Sequence, residues 1–257
     1  MNIILSWVDV NTLNTLLHKE FNKHVLLHEE GYFETLVSFV DGKCPIEKKT
    51  IFEFGCGTGD LILLLAKGAK NVFGMDISEP SILEARKKAF KANVKNVNFQ
   101  CGDIFETKIG SDKHDIIISN SVIHYIPGDL HPTLHILFSI LKDGGTMFAT
   151  VEAADKFSVI RMIQWFLFFV SPEVVKENLY MLFGLIPGVL DKDVLRNENK
   201  LVLKSKARYL AVPIVQIKTK DDWVGEFKRA GFSDVLIEMA PKLNKLSTPH
   251  YFITAKK

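Results

Sequence analysis

The chain has 257 residues, of which 47% are hydrophobic and 24% are charged, so it can bury a core and is not of the disordered class. Its 32 basic and 30 acidic residues give a net charge of +2, which argues against a dedicated nucleic-acid-binding protein. Three cysteines, Cys44, Cys56 and Cys101, form neither a disulfide framework nor a zinc-site spacing, and they indicate a reducing compartment.

The N-terminal part of the chain is predicted to be helical. Apolar residues, beginning with Leu13, Leu16 and Leu17, recur at helical spacing over residues 2–40, and we expect residues 1–45 to form a lid before the sheet. The N-terminus lacks a basic flank followed by a small-residue cleavage site, so we expect no signal peptide and a cytoplasmic protein. The most apolar stretch, 157–170, contains Arg161 and Gln164 and falls short of the ~20 residues that a membrane span needs.

Strands and helices alternate through the middle of the chain. Helices are expected from Asp60, from about Pro80 to Ala92, and over Leu130–Leu141. Short apolar runs predict strands at Thr50–Phe54, Asn71–Met75, Val97–Cys101, Asp115–Ser119 and Thr146–Glu152. This alternation predicts an α/β fold with right-handed crossovers and a parallel, doubly wound sheet.

The alternation stops after residue 152 and returns near residue 220. A helix is expected over Asp221–Ala230 with Gly231 as its stop, followed by strands at Asp234–Met239 and His250–Ala255. No helix fits between these last two strands, so they should pair as a hairpin with one strand antiparallel to the rest. Residues 153–219 are therefore an insertion.

A glycine loop follows the first strand, with glycines at 55, 57 and 59 and Asp60 next. The spacing is G-x-G-x-G, and Asp60 stands where a dinucleotide fingerprint has its third glycine, which weakens a dehydrogenase interpretation. Asp76 ends the second strand 21 positions after Gly55, where its two oxygens can accept both hydrogens of a ribose diol. Asp103 ends the third strand and can accept from an adenine amino group. Alternatively, each acid only caps the helix that follows it.

Several segments together match a known pattern. EFGCGTG, MDIS, GDIF, DIIISNSVIHYI and LKDGGTMFATVE resemble, in order and spacing, the class I S-adenosylmethionine-dependent methyltransferases. The resemblance is strong over residues 45–152 and rests on topology alone over 220–257. It implies a Rossmann-like, seven-stranded sheet whose last strand is antiparallel. It also implies one domain, with a cofactor-binding core at 46–152 and 220–257 and a helical substrate cap at 153–219.

The resemblance implies which residues hold the methionine part of S-adenosylmethionine. Gly55, Cys56 and Gly57 would pass beneath it, and Glu53, an acid inside an apolar strand, would organise the loop and the ammonium group. Tyr32 would close over the cofactor as a lid residue, although a buried helix tyrosine explains it nearly as well.

The same resemblance implies an adenosine subsite. Asp76 would bind the ribose hydroxyls, and Ile77 would pack on the adenine face. Asp103 and the backbone of Ile104 would read the adenine edge.

The end of the fourth strand is expected to carry the reaction. By the resemblance, Ser119 and Asn120 would flank the transferring methyl group, which is already activated as a sulfonium, so no metal is expected. His124 lies in the following loop and is the candidate general base. The alternative is that His124, like Tyr125, only shapes the substrate pocket.

The insertion would select the methyl acceptor. Its aromatic residues, Trp165 and Phe169 among them, favour an apolar or aromatic small molecule methylated on oxygen or nitrogen, or they form the core of the cap. The basic stretch 196–220 can receive an acid bound to an acyl carrier protein, or it is a solvated face. Methylation of nucleic acid or protein is the alternative activity, and an NAD-dependent oxidoreductase a further one. The sequence leaves the acceptor and the oligomeric state open.

Overall fold

The computed structural model describes residues 9–23, 31–107, 113–153, 214–240 and 250–257. Seven strands lie within these ranges: β1 (Thr50–Phe54), β2 (Asn71–Asp76), β3 (Val97–Cys101), β4 (His114–Asn120), β5 (Leu141–Glu152), β6 (Ser233–Met239) and β7 (His250–Lys256). The helices are α1 (Val10–Lys23), α2 (Tyr32–Lys43), α3 (Asp60–Leu65), α4 (Glu79–Lys91), α5 (His131–Ile140) and α6 (Lys220–Arg229), with a 3-10 turn at Ile123–Tyr125.

The strands form one sheet in the order β3-β2-β1-β4-β5-β7-β6. Every pairing from β3 to β5 is parallel, and β7 runs antiparallel to both β5 and β6. The predicted doubly wound, mostly parallel seven-stranded sheet with an antiparallel last strand is therefore confirmed.

The centre of the sheet is covered on both faces. Ile116, Ile117 and Ile118 in β4 are fully buried. Alternate residues face opposite sides, so Ile117 joins one apolar cluster while Ile116 and Ile118 join the other. This explains why a continuous isoleucine run, without polar alternation, forms this strand.

The predicted boundaries agree with the structure to within about a residue at most elements, and β5 is the exception. It begins at Leu141, which pairs with His114, before the regular pairing starts at Thr146. The Asp-Gly-Gly sequence predicted as a turn lies inside this strand as an irregularity, with Gly144 at φ 75°. The Asp-Gly-Gly residues therefore interrupt the regular pairing of β5 with β4. The strand β5 still follows the helix α5 directly, without a turn between them.

Two helix starts are fixed by local hydrogen bonds. Ser78 caps α4, its side chain accepting from the Ser81 N–H, and proline lies in the first turn as expected. Thr219 and Asp222 form a reciprocal capping box at the start of α6.

The structure describes only part of the segments that are expected to form the lid and the cap. The predicted helical character of residues 2–40 holds for α1 and α2, whereas residues 1–8 and 24–30 lie outside the described ranges. Of the predicted cap, only 153 and 214–219 are described, so the lid and cap boundaries stay predictions. None of the helices in the described ranges has both the length and the apolar character to cross a membrane.

Candidate functional site

A cavity of about 490 Å³ opens at the carboxyl ends of β1, β2 and β4. In the sheet order, β1 lies between β2 and β4, and this reversal of strand order is where open α/β sheets bind ligands. The cavity wall is formed by the glycine loop, the acid that ends β2, the acid that follows β3, the loop after β4 and one face of α1.

The glycine loop passes directly along this cavity. Gly55 has φ 75°, and a Cβ built on it would lie 2.1 Å from a Val122 methyl group. Gly57 has φ 49°, and a Cβ there would meet no atom of the described residues within 4 Å, its chain neighbours aside. Both glycines line the cavity, as does Cys56, whose thiol pKa is raised well above its usual range by burial. Gly55 thus permits close packing, whereas Gly57 leaves open space beside the cavity.

Asp76 connects the tip of β2 to the glycine loop. One carboxylate oxygen accepts from the Gly57 N–H (2.8 Å) and the other from the Ser78 N–H (2.9 Å). Burial raises the pKa of Asp76, and these two hydrogen bonds oppose the shift. Because Ser78 is the N-cap of α4, Asp76 is not the capping residue. Each of its oxygens keeps a lone pair that can accept a ligand hydroxyl.

Glu53 is the most deeply buried acid of the cavity wall, with 2% of its surface exposed. Burial, with smaller contributions from Asp76 and Asp60, raises its pKa well above the usual range. Its Oε2 has no hydrogen-bond partner among the described residues. A buried carboxylate of this kind is unfavourable until a cation or a donor faces it, so the site fits a ligand with an ammonium group.

The tip of β3 supplies the neighbouring wall. Asp103 Oδ1 accepts from the Phe105 N–H at 2.9 Å. The other carboxylate oxygen, Oδ2, takes no part in this hydrogen bond. Ile77 and Ile104 line the cavity next to it. The structure thus brings together an acid and two aliphatic side chains, which suit the edge and the faces of a planar base.

Asn120, at the end of β4, is held by two hydroxyl groups. Its Oδ1 accepts from the Tyr32 hydroxyl (2.6 Å) and from the Thr150 hydroxyl (2.7 Å). Asn120 lines the cavity, whereas Tyr32 and the fully buried Ser119 are not among the lining residues. Ser119 and Asn120 point to opposite faces of the strand, so the structure brings only the second of them to the cavity.

His124 lies behind the cavity wall, with 1% of its surface exposed. Its Nδ1 accepts from the Glu152 N–H at 3.3 Å, and its backbone carbonyl accepts from Val215 and Gln216. Among the described residues, Tyr125 lines the cavity and His124 does not. The prediction that His124 is a general base stays untested, and the described cavity gives it no support.

The remaining predicted residues are Trp165 and Phe169, which lie outside the described residues. Within the ranges that the structure describes, no group of three or more His, Cys, Asp or Glu side chains is arranged to hold a metal ion.

Sequence reasoning missed the contribution of α1 to the site. Residues at positions 10, 11, 14, 17, 18 and 21 all line the cavity. They form one helical face, and it includes Asn14 and His18 beside apolar side chains. The i, i+4 spacing of Asn14 and His18 is visible in the sequence, but it indicates a shared helix face and not a ligand. Asp129 and Thr133 also line the cavity and were not predicted.

The seven-stranded, mostly parallel sheet with a cavity at its switch point defines a Rossmann-like architecture. A family model described as "Methyltransferase domain" matches residues 46–227, more than half of the chain. The chain belongs to this methyltransferase family, within the class I S-adenosylmethionine-dependent superfamily. The predicted family is thereby confirmed.

Curated relatives are similar over part of the chain. A malonyl-[acyl-carrier protein] O-methyltransferase of Priestia megaterium is 31% identical over 140 residues, which is 51% of this chain and 49% of the relative. A ubiquinone biosynthesis O-methyltransferase of Coxiella burnetii is 28% identical over 112 residues, or 44% and 47% of the two chains. These matches span about half the length of the relatives.

Solved structures share the fold over most of the chain. The 1,6-didemethyltoxoflavin-N1-methyltransferase of Burkholderia thailandensis, solved with bound 1,6-didemethyltoxoflavin and S-adenosylhomocysteine, has a TM-score of 0.65 and 14% identity. That match covers 97% of this chain and 91% of the other. A methyltransferase from Mesorhizobium loti has a TM-score of 0.56 and 16% identity, over 87% and 98% of the two chains.

Proposed function

We propose that this protein transfers a methyl group from S-adenosylmethionine to an oxygen or nitrogen of a small apolar or aromatic metabolite. The observation that carries the proposal is the buried Oε2 of Glu53, which has no hydrogen-bond partner within the described ranges and shares one cavity with Asp76 and the open side of Gly57. A buried carboxylate, an acceptor for a diol and a glycine loop with open space beside it together match a nucleoside that carries an amino acid.

The proposed binding roles follow from these positions. Glu53 holds the ammonium group, Asp76 accepts from the ribose hydroxyls, and Gly57 leaves room for the chain between them. Ile77 and Ile104 cover the base, and Asp103 accepts from its amino group. When bound, the cofactor supplies a methyl group already activated by the sulfonium, so the protein has to orient the acceptor and exclude water.

The described part of the acceptor end is aromatic. Phe21, Phe33 and Tyr125 line the cavity, and the rings of Phe21 and Tyr125 meet edge to face with centroids 5.3 Å apart. Such walls favour apolar or aromatic acceptors. A small-molecule acceptor is supported by the name of the ubiquinone biosynthesis O-methyltransferase and by the 1,6-didemethyltoxoflavin bound to the Burkholderia thailandensis enzyme.

A carrier-bound acid is the second candidate acceptor. Two relatives named malonyl-[acyl-carrier protein] O-methyltransferase, from Priestia megaterium and Bacillus cereus, are 31% and 35% identical over about half of this chain. The basic stretch 196–220 would receive the acidic carrier, and residues 196–213 of it lie outside the described residues.

The cofactor assignment can be tested by calorimetry with S-adenosylhomocysteine and with NADH. We expect S-adenosylhomocysteine to bind and NADH not to bind. Asp76→Asn should weaken binding by about tenfold to a hundredfold, because hydrogen bonds to a charged group contribute about 1.5–3 kcal/mol. Asp143→Asn, which changes an acid with 92% of its side chain exposed, is the matched control. Binding of NADH alone would overturn the proposal in favour of an oxidoreductase.

The acceptor class can be tested with S-adenosylmethionine carrying a labelled methyl group. The acceptors would be a panel of small phenols and heteroaromatic amines, malonyl-acyl carrier protein, transfer RNA and a protein extract. Labelling within the small-molecule panel supports the first candidate, and labelling of the carrier supports the second. Labelling confined to RNA or protein would overturn both.

A further inference from the structure

Helix α1 lies outside the part of the chain matched by the family model, which begins at residue 46, yet it forms part of the cavity wall. Leu13 and Leu17 are buried and fix the helix in place. The face that also carries Asn14 and His18 is turned toward the cavity. Asn14 and His18 are half-buried on this face, so a ligand in the cavity can reach their polar groups.

His18 is the side chain of α1 whose charge is influenced by the acids of the site. It lines the same cavity as Asp76 and Asp103. The negative charges of these two carboxylates and of Glu106 act to raise the pKa of His18. Burial nevertheless lowers the pKa of His18, which favours the neutral imidazole, with one nitrogen donating and the other accepting. A neutral ring of this kind can hydrogen-bond or stack on a nucleoside without placing a second positive charge near a sulfonium.

We propose that α1 completes the adenosine subsite and that His18 contacts the adenosyl part of the cofactor. The inference rests on the proposed function and adds a binding residue that none of the family motifs contains. Asn14 lies one helical turn away on the same face and extends this polar surface. The cofactor thus binds between the strand tips and α1.

The experiment distinguishes binding of the adenosine half of the cofactor from binding of its amino-acid half. Calorimetry would compare S-adenosylhomocysteine with 5′-methylthioadenosine, which keeps the adenosine half and lacks the amino acid. His18→Ala should weaken the binding of both ligands by about tenfold, the effect of one or two hydrogen bonds. Glu53→Gln should weaken only the binding of S-adenosylhomocysteine. His18→Gln, which keeps hydrogen-bonding groups, should recover part of the lost affinity for both ligands.

Lys19→Ala is the matched control, because this neighbouring side chain is exposed on the same helix. It should leave both affinities unchanged. Amide hydrogen exchange of Val10–Lys23 in the wild-type protein should slow when 5′-methylthioadenosine is added. If His18→Ala binds both ligands within twofold of wild type, the role of His18 is wrong while the proposed function stands. If the wild-type protein binds neither ligand, the proposed function itself fails.

Discussion

The Tyr32 hydroxyl donates a 2.6 Å hydrogen bond to Asn120 Oδ1, which connects the first turn of α2 to the tip of β4 across 88 positions of sequence. The Thr150 hydroxyl donates to the same oxygen. With Oδ1 occupied twice, the amide nitrogen of Asn120 is the group that can donate to a ligand. Tyr32 therefore orients a residue of the cavity wall without itself lining the cavity.

Removing the Tyr32 hydroxyl should reduce turnover by more than the accompanying loss of stability explains. We expect Tyr32→Phe to lower the free energy of unfolding by about 1 kcal/mol and to reduce kcat, because Asn120 loses one of its two anchors. Thr35→Val is the control, since it removes a 2.9 Å hydrogen bond to the Gly31 carbonyl on the same helix that does not reach the site. Equal turnover in the two variants would contradict the positioning role.

The two glycines of the loop should respond differently to alanine. In Gly55→Ala the new methyl group would collide with Val122 at a positive φ, so we expect a loss of several kcal/mol of stability. In Gly57→Ala the methyl group meets no atom in the part of the chain that the structure describes. We therefore expect a cost of about 1–2 kcal/mol from backbone strain and loss of S-adenosylhomocysteine binding. Urea unfolding and calorimetry measure both effects. Unimpaired binding by Gly57→Ala would show that the ligand does not approach this loop.

The raised pKa of Glu53 gives the ligand-free protein a defined pH dependence. Between the ordinary glutamate pKa of about 4.3 and the raised value, the unfolded state is ionised while the folded state keeps its proton. The folded state therefore loses stability as pH rises through this range. Glu53→Gln abolishes the effect, so the melting temperature of the variant minus that of wild type should increase from pH 4 to pH 8.

The control for this prediction is Glu47→Gln, at a glutamate whose side chain is 77% exposed. It should give a difference in melting temperature that stays nearly constant over the same pH range. A constant difference for Glu53→Gln as well would mean that Glu53 ionises normally in the folded protein. Glu53→Gln should also bind S-adenosylhomocysteine more weakly, because an amide cannot balance the ammonium charge.

The burial of His124 predicts a structural effect of its substitution. His124→Asn should lower the free energy of unfolding by about 1–3 kcal/mol, through lost packing and the lost hydrogen bond from the Glu152 N–H. It should leave S-adenosylhomocysteine binding and the shape of the pH–turnover profile unchanged. Loss of one limb of that profile at unchanged melting temperature would instead establish His124 as the base.

Much of the candidate site was predictable because its determinants are local. Asp76, Asp103 and the glycine loop each follow a strand that ends at the same edge of a parallel sheet. Once the strands are placed, these residues must converge there. Ser119 shows the limit of such reasoning, because the choice between two adjacent strand residues depends on which face the pleat turns toward the cavity.

The sequence by itself determined the α/β class, the order of strands and helices, the antiparallel end of the sheet and the motif residues that follow the strand tips. These follow from hydrophobic periodicity and from the residues next to each strand, both of which act over short stretches of chain. Only the tertiary structure decided that His18 lines the same cavity as the acids, that Asn120 is held by Tyr32, and that His124 lies behind the cavity wall. Those relations join segments distant in sequence, and they depend on how helices and loops pack onto the sheet.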